Sequence, residues 1–295
     1  MNGILLINKE RTWTSQDVCS KIKRTLHLDK VGHTGTLDPF ADGLLVLTIN
    51  KGTKIGQFIE ALDKTYIAKI KLGIATDTLD KDGEIIEERS IPNITKEDIK
   101  NILVGFLGKQ KQIPPKYSAI KVNGKKLYEY ARENIEVEIK ERDIEIFELE
   151  MLDFDGVNIT ILARVSKGTY IRTLGSDIAK KLNTVGYLVE LTRIRVGRYD
   201  LNNAKKIIDV TQSDIISFSD ALSFLRKVKM NELWTTRVKN GYKLYLDVEE
   251  DIVCVYGFDD EPIAIYTRME GNMFKCARGI FWWKFIVLII KTHLY

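Results

Sequence analysis

Gly32-His33-Thr34-Gly35-Thr36-Leu37-Asp38-Pro39-Phe40-Ala41-Asp42-Gly43 is the stretch on which the reading of this 295-residue chain turns. Glycines at 32, 35 and 43 let the backbone take unusual dihedrals and approach a ligand closely. Asp38 precedes Pro39 and is therefore biased towards an extended conformation. The loop runs into an apolar strand, Leu44 to Ile49, so it projects a carboxylate just ahead of a buried element. Asp-Pro and glycine are also ordinary loop residues. On composition alone the segment reads as a decorated turn in preference to a site.

Outward from this loop the chain alternates strands and helices. Gly3 to Ile7 reads as a strand. Thr14-Ser15-Gln16-Asp17 has the spacing of a capping box, and Val18, Ile22 and Leu26 follow at helical intervals. From Thr65 to Leu72, residues Tyr66, Ala68, Ile70 and Leu72 share one face of a half-buried strand. Thr95 with Asp98 opens a helix carrying Ile99, Ile102, Leu103 and Phe106. Pro114-Pro115 imposes an extended stretch. Lys125 to Asn134 reads as a short helix, Val157 to Val165 as a strand and Tyr170 to Leu182 as a helix. After about residue 228 come short strand-like runs, Lys243–Val248, Ile252–Gly257 and Ile263–Thr267, separated by acidic turns. The expectation is an α+β protein with a large body over residues 1–228 and a small β-domain over 229–295.

Composition sets outer bounds. Hydrophobic residues make up 44% and charged residues 29%, which is a globular balance. Lys and Arg number 45 against 41 Asp and Glu, for a net charge of +4, and that total does not decide for or against nucleic acid. Its distribution says more. Lys109 to Arg132 holds seven bases and one acid (+6), Glu133 to Asp155 ten acids and two bases (−8), and Arg164 to Arg198 eight bases and two acids (+6). The basic blocks suit a phosphate-binding face, and Tyr117, Tyr128 and Tyr130 add stacking surfaces. Two ordinary solvated faces would show the same counts.

Several chemistries lack their signatures. The sequence has no G-x-G-x-x-G, no P-loop and no nucleophile elbow. Three scattered histidines cannot form a catalytic metal cluster, and the Asp80-Lys-Asp82-Gly83 stretch fails as a calcium loop at its first and twelfth positions. Cys19, Cys254 and Cys276 form no C-x-x-C pair and fit a reducing, cytoplasmic setting. The opening apolar run is too short for a signal peptide. The apolar run from Ile280 to Ile290 falls short of the roughly 20 residues that span a bilayer and contains Lys284, so a buried terminal strand is expected and no membrane span.

The Gly32–Gly43 loop and the Leu-Leu after it resemble the catalytic motif of the TruB family of pseudouridine synthases, bacterial enzymes that isomerise uridine-55 in the TΨC arm of tRNA. Other segments extend the resemblance in order. They are Leu6-Ile7-Asn8-Lys9 with Thr14-Ser15, Lys64-Thr65-Tyr66-Ile67-Ala68, Gly73 with Thr76 to Asp80 and Gly83, and Pro114 to Arg132. Lys167 to Leu174 with Asp177, and Leu191-Thr192-Arg193, complete the set. Together they span residues 3 to about 198. Glu10 and Thr12 stand where the family has proline and glycine. These departures fall on the turn after Lys9 and leave Asp38 in place.

The resemblance implies a mixed, largely antiparallel sheet flanked by helices, an inserted RNA-gripping segment at about 105–135 and a small C-terminal PUA-like β-domain. It also implies an isomerase that takes no cofactor, no nucleotide and no metal, acts on the T-arm stem-loop of tRNA and works as a monomer. Asp38 is the expected essential carboxylate, either attacking C1′ or removing the 2′ proton. Arg172 is expected to pair with it, against the alternative of a phosphate-binding or surface arginine. Tyr66 and Tyr170 are expected in the uridine pocket and Leu191 against the base, though Tyr66 and Leu191 also fit a plain core role. His33 is expected to fill the stack vacated by the flipped base, and Lys9 to support the loop or the RNA backbone. The competing reading is a non-catalytic RNA-binding or tRNA-folding factor on the same scaffold. The related guide-RNA-dependent synthases are disfavoured by the match over Pro114 to Arg132.

Overall fold

The computed structural model describes residues 1–133 and 135–280. The chain begins with β1 (Gly3–Lys9), α1 (Ser15–Thr25), β2 (Val31–His33), β3 (Asp42–Ile49), α2 (Gly56–Glu60) and β4 (Lys64–Leu72). A hairpin of β5 (Ile74–Thr76) and β6 (Ile85–Glu88) follows, then α3 (Lys96–Val104) and β7 (Gly108–Gln112). Next come the small hairpin β8 (Lys121–Val122) and β9 (Lys125–Lys126), α4 (Leu127–Arg132), β10 (Arg142–Phe154), β11 (Asn158–Val165), α5 (Ile171–Lys181) and β12 (Gly186–Val196). The last stretch holds β13 (Tyr199–Asp200), β14 (Lys205–Lys206), α6 (Phe218–Ala221), β15 (Arg226–Lys229), α7 (Glu232–Lys239), β16 (Leu244–Tyr245), β17 (Ile252–Tyr256), β18 (Pro262–Arg268) and β19 (Met273–Gly279).

Ten strands form one sheet in the order β14-β1-β3-β12-β4-β11-β10-β7, with β2 paired to β3 and β13 to β12. β1–β14 and β3–β12 run parallel and the other pairs antiparallel, so the sheet is mixed and largely antiparallel as expected. The continuous apolar runs of β1 and β3 have a direct cause, since successive side chains of a strand point to opposite faces. Leu5, Ile7, Leu45, Leu47 and Ile49 enter the core under α1, α3 and α5. Ile4, Leu6, Leu44 and Val46 enter a second core on the other face. β4 is buried on one face only, through Tyr66, Ala68, Ile70 and Leu72, hence its alternation.

Both anticipated capping boxes form. Thr14 Oγ1 accepts from the Asp17 N–H, and Asp17 accepts from the Thr14 N–H, each at 3.1 Å. Thr95 and Asp98 repeat the arrangement at the head of α3. Each satisfies N–H groups that a helix start leaves without partners.

A second sheet, β15-β17-β18-β19-β16, occupies residues 226–279. Cys254, Tyr256 and Ile265 pack one of its faces against Ile4, Leu6, Leu44 and Val46. Its other face closes over Val238 of α7 with Val253, Val255, Tyr266 and Phe274. Ile280 is buried in the shared core, and the remainder of the apolar run, from residue 281, lies outside the described residues.

The structure adds strands that the sequence reading did not name, β5, β6, β7, β10 and β12 among them, and departs from it elsewhere for local reasons. β2 was unforeseen because Gly32 and His33 sit inside the glycine-rich loop. The helix expected from Lys125 starts at Leu127, because Asn123 (φ 51°) and Gly124 (φ 84°) turn Lys125–Lys126 back onto Lys121–Val122, the Asn-Gly hairpin signal. The second sheet also recruits β15 and β19, whose charged residues hide their alternation.

Candidate active site

Four separate segments meet at the Arg172 guanidinium. Arg172 lies in the first turn of α5 with its side chain 6% exposed. Its Nε stands 3.0 Å from Asp38 Oδ2, and its Nη1 stands 3.2 Å from Asp80 Oδ2. Nη1 also donates to the Thr78 carbonyl and Nη2 to the Tyr117 carbonyl, each at 2.9 Å. The pairing of Arg172 with Asp38 anticipated in the sequence is therefore present. Asp80 was missed as a partner. Burial pushes the Asp80 carboxyl up, while bonds from Thr78 and the charge of Arg172 pull it down. A buried guanidinium needs this many partners because an unpaired buried charge is costly.

Asp38 stays one-third exposed and faces a cavity of about 710 Å³, within the usual span for small-molecule sites. Tyr66, Tyr170, Leu191, Arg193 and Lys64 line it together with Tyr117 and Tyr128 of the inserted segment. Tyr66 comes from β4, where it lies opposite Ala163 and Arg193 on the neighbouring strands. Leu191 lies opposite Ala68. Both are nearly buried, so each belongs to the cavity wall and to the core at once.

Tyr170 ends the extended approach to α5 at the helix N-cap (φ −97°, ψ 111°). Gln112 grips its backbone from both sides, accepting from the Tyr170 N–H at 2.8 Å and donating to its carbonyl at 3.1 Å. Burial raises the Tyr170 phenol above its ordinary value. Gln112 had no sequence signal beyond its place before Pro114-Pro115.

The backbone around Asp38 is fixed from the β1–α1 connection. The Leu37 N–H donates to Ser15 Oγ at 2.9 Å, and Ser15 Oγ donates to the Leu37 carbonyl at 3.2 Å. On the far side, the Thr12 N–H donates to the Pro39 carbonyl at 2.8 Å. Thr12 adopts φ 73°, a left-handed conformation that favours glycine. Lys9 Nζ donates to the carbonyls of Glu10 (3.0 Å) and Trp13 (2.7 Å), closing the same turn. Gly43 needs its glycine. At φ 101° a Cβ there would stand 2.4 Å from the Arg193 carbonyl oxygen.

Lys9 is fully buried. Burial lowers its amine to about 8 against the opposing pull of Asp42 and Asp38. Of the two roles open to it, loop support or contact with an RNA backbone, loop support fits this buried geometry. His33 stands on β2 opposite Leu47, and the cavity wall begins only at Gly35. Desolvation and the nearby Arg193 lower the His33 imidazole, and its Nδ1 is buried with no hydrogen-bond partner among the described residues.

Two further cations belong to the site. Arg193, 2% exposed, donates to the carbonyls of Leu44 (2.7 Å) and Gly35 (3.1 Å). Lys64 is nearly buried, bonds the Glu60 and Leu62 carbonyls, and is lowered to about 8 by burial and by Arg193.

The basic block 109–132 is less free than its count suggests. Lys109 lies opposite Glu145 and Lys111 opposite Asp143 in the β7–β10 pair, and Lys125 bonds Glu133. Lys126 and Arg132 instead lie over the Tyr128 ring at 5.2 and 5.4 Å. Sheet pairing thus sets part of the block against the acidic run that follows it, with Lys111 3.9 Å from Glu141. A second cavity, of about 870 Å³, lies between the insert and the β5–β6 hairpin. It is lined by Asp77, Glu136 and Glu138 and does not include Asp38. No group of acidic, histidine or cysteine residues among the described residues is arranged to hold a metal, and no described helix is long and apolar enough to cross a membrane.

Known proteins supply an independent comparison. Residues 23–171 match the family model of the TruB family pseudouridylate synthase (N terminal domain). The chain is 40% identical over 281 residues to the tRNA pseudouridine synthase B of Mesoplasma florum, covering 94% of this chain and 98% of that protein. It is 38% identical over 300 residues to the protein of that name from Bacillus pumilus, covering 94% and 97%. Its fold is similar to a chain in a structure of an H/ACA RNP bound to a substrate RNA containing 2′-deoxyuridine, with TM-score 0.71 at 20% identity over 95% of this chain and 85% of that one.

Proposed function

Because the chain belongs to the TruB family of pseudouridylate synthases, we propose that it isomerises uridine-55 in the T arm of tRNA, with Asp38 as the essential carboxylate. The observation that carries this reading is Asp38 held 3.0 Å from a buried Arg172, at the wall of a cavity shared with Tyr66, Tyr170 and Leu191.

The reaction breaks the N1–C1′ bond, rotates the uracil and joins C5 to C1′. N1 gains a proton and C5 loses one, so the step is redox-neutral and draws on no cofactor. Asp38 acts at the sugar, either by attacking C1′ or by taking the 2′ proton. Arg172 sets its guanidinium 3.0 Å from that carboxylate and supplies the counter-charge. Leu191 and Tyr66 form an apolar wall for the uracil, and the Tyr66 phenol is the group available to the C5 proton. Tyr170 completes the pocket from the head of α5.

A uridine in a folded T arm must leave its stack, at a cost of a few kcal/mol. His33 lies next to the loop that carries Asp38, and burial and the nearby Arg193 lower its imidazole, which suits a ring that fills a stack. Tyr117, Tyr128 and the bases of the insert, residues about 105–135, face the RNA, which is read by shape, phosphates and flipped bases. In this reading residues 1–228 are the catalytic body and 229–295 a PUA-like unit, and the protein works as a cytoplasmic monomer.

The test is Asp38→Asn on a T-arm stem-loop and on full tRNA, with pseudouridine located by mass spectrometry or carbodiimide mapping. Binding should persist while pseudouridine formation falls to background. Turnover retained by the variant refutes the assignment.

A further inference from the structure

The β1–α1 turn carries an arrangement that the catalytic reading leaves unexplained. Thr12 sits in the left-handed region at φ 73°, yet its N–H is what holds the Pro39 carbonyl next to Asp38. A threonine favours the extended and right-handed regions, so something must hold the turn in place. Lys9 closes the turn from inside through the Glu10 and Trp13 carbonyls, and the neighbouring Arg11 is the group positioned to hold it from outside. Arg11 Nε stands 2.8 Å from Asp42 Oδ2, and its Nη2 stands 3.3 Å from Glu190 Oε2. Asp42 is itself anchored, accepting from Thr192 Oγ1 at 2.5 Å across the parallel β3–β12 pair. The guanidinium therefore ties the turn to the two strands that frame the Asp38 loop.

We propose that Arg11 is a positioning residue. Its pairs to Asp42 and Glu190 hold the left-handed turn against Pro39 and so fix the backbone that presents Asp38. The proposal rests on the reading of Asp38 given above. Without the pairs, Thr12 relaxes to negative φ, its N–H leaves Pro39, and Asp38 spends less time in the productive position. Replacing Thr12 by glycine removes the reason to relax, so the pairs become dispensable.

Arg11→Gln should lower kcat on the T-arm stem-loop about fivefold with KM unchanged, a loss equivalent to about 1 kcal/mol. Arg11→Gln with Thr12→Gly should return to within about twofold of Thr12→Gly alone. Asp42→Asn should reproduce the loss and the rescue, and it serves as the second variant where Arg11→Gln fails to fold. Amide hydrogen exchange of the peptide covering residues 10–14 should quicken about fivefold in each single variant and slow again with Thr12→Gly. This last measurement reads the turn whatever the substrate. Wild-type protein that forms no pseudouridine sinks the proposed function, whereas unchanged exchange and unchanged kcat in the variants overturn the role of Arg11. A raised KM with kcat intact and no rescue by glycine also overturns it, because an arginine that only contacts RNA behaves that way.

Discussion

Thr12→Gly should make the protein more stable, although it replaces a larger side chain with none. A non-glycine residue in the left-handed region costs about 1–2 kcal/mol, and Thr12 sits there at φ 73°. Its side chain is exposed, and its hydroxyl has no hydrogen-bond partner among the described residues, so truncation removes little. The N–H to Pro39 bond uses the backbone and survives. Against this gain, glycine gives up about 0.5–1 kcal/mol more conformational entropy on folding. The difference is a net stabilisation of about 0.5–1 kcal/mol, or a rise of roughly 1–3 °C in Tm for a chain of this size. Equilibrium unfolding in urea, followed by tryptophan fluorescence at constant m-value, measures it. Thr12→Ala is the control, because alanine removes the hydroxyl and the methyl group but keeps the Cβ that carries the conformational penalty. Thr12→Gly no more stable than Thr12→Ala refutes the strain argument.

Other perturbations bear on the same site. Asp80→Asn leaves Arg172 with Asp38 as its carboxylate partner, and we expect a destabilisation of about 2 kcal/mol with a fall in kcat, read by urea unfolding and stem-loop turnover. Stability and rate both unchanged would show that Asp80 does not hold the guanidinium. Gly43→Ala must push aside the Arg193 backbone 2.4 Å away and adopt φ 101°. It should cost about 3 kcal/mol, and a melt matching wild type would contradict the close β3–β12 approach. Lys64 is held near 8 against an ordinary value of 10.5. Between those values the unfolded chain binds more protons than the native one, so this lysine makes stability rise with pH over that interval. The stability difference between wild type and Lys64→Met should change from about pH 8 to 10.5 and be flat below pH 7. A difference independent of pH across that range would mean the amine is not buried as described.

The sequence made the scaffold legible where burial is one-sided or a cap is local. The alternation of Tyr66, Ala68, Ile70 and Leu72 and the two Thr-x-x-Asp boxes state their structure within a few residues. β2 and β19 were illegible because their residues pair into a sheet whose neighbours lie elsewhere in the chain. The site divides in the same way. Asp38 and Arg172 could be read from motifs resembling a known family. Asp80 read as part of a failed calcium loop and of a segment resembling the family's, with no partner assigned, because what makes it a partner is Arg172, 92 residues away. Gln112 was invisible for the same reason, since its bonds to Tyr170 span 58 residues. Lys9 was half-read, because its motif marks the position but says nothing of its burial. The block charge of Lys109–Arg132 overstated the free positive surface, because strand register sets Lys109 and Lys111 opposite Glu145 and Asp143, and Lys111 and Lys125 pair with Glu141 and Glu133.

Arg172 binds groups 55, 92, 94 and 134 residues earlier in the chain. That separation has a consequence in time. A chain emerging from the ribosome displays the Asp38 loop long before the arginine that completes it has been made, and contacts of such span form late because loop closure must precede them. Until then the growing polypeptide exposes the Asp38 carboxylate without its counter-charge, and the later part of the cavity wall has not been made. On the proposed reading, a chain terminated before Arg172 lacks both that counter-charge and the Leu191 and Arg193 part of the cavity wall, and its product is expected to be inert rather than weakly active.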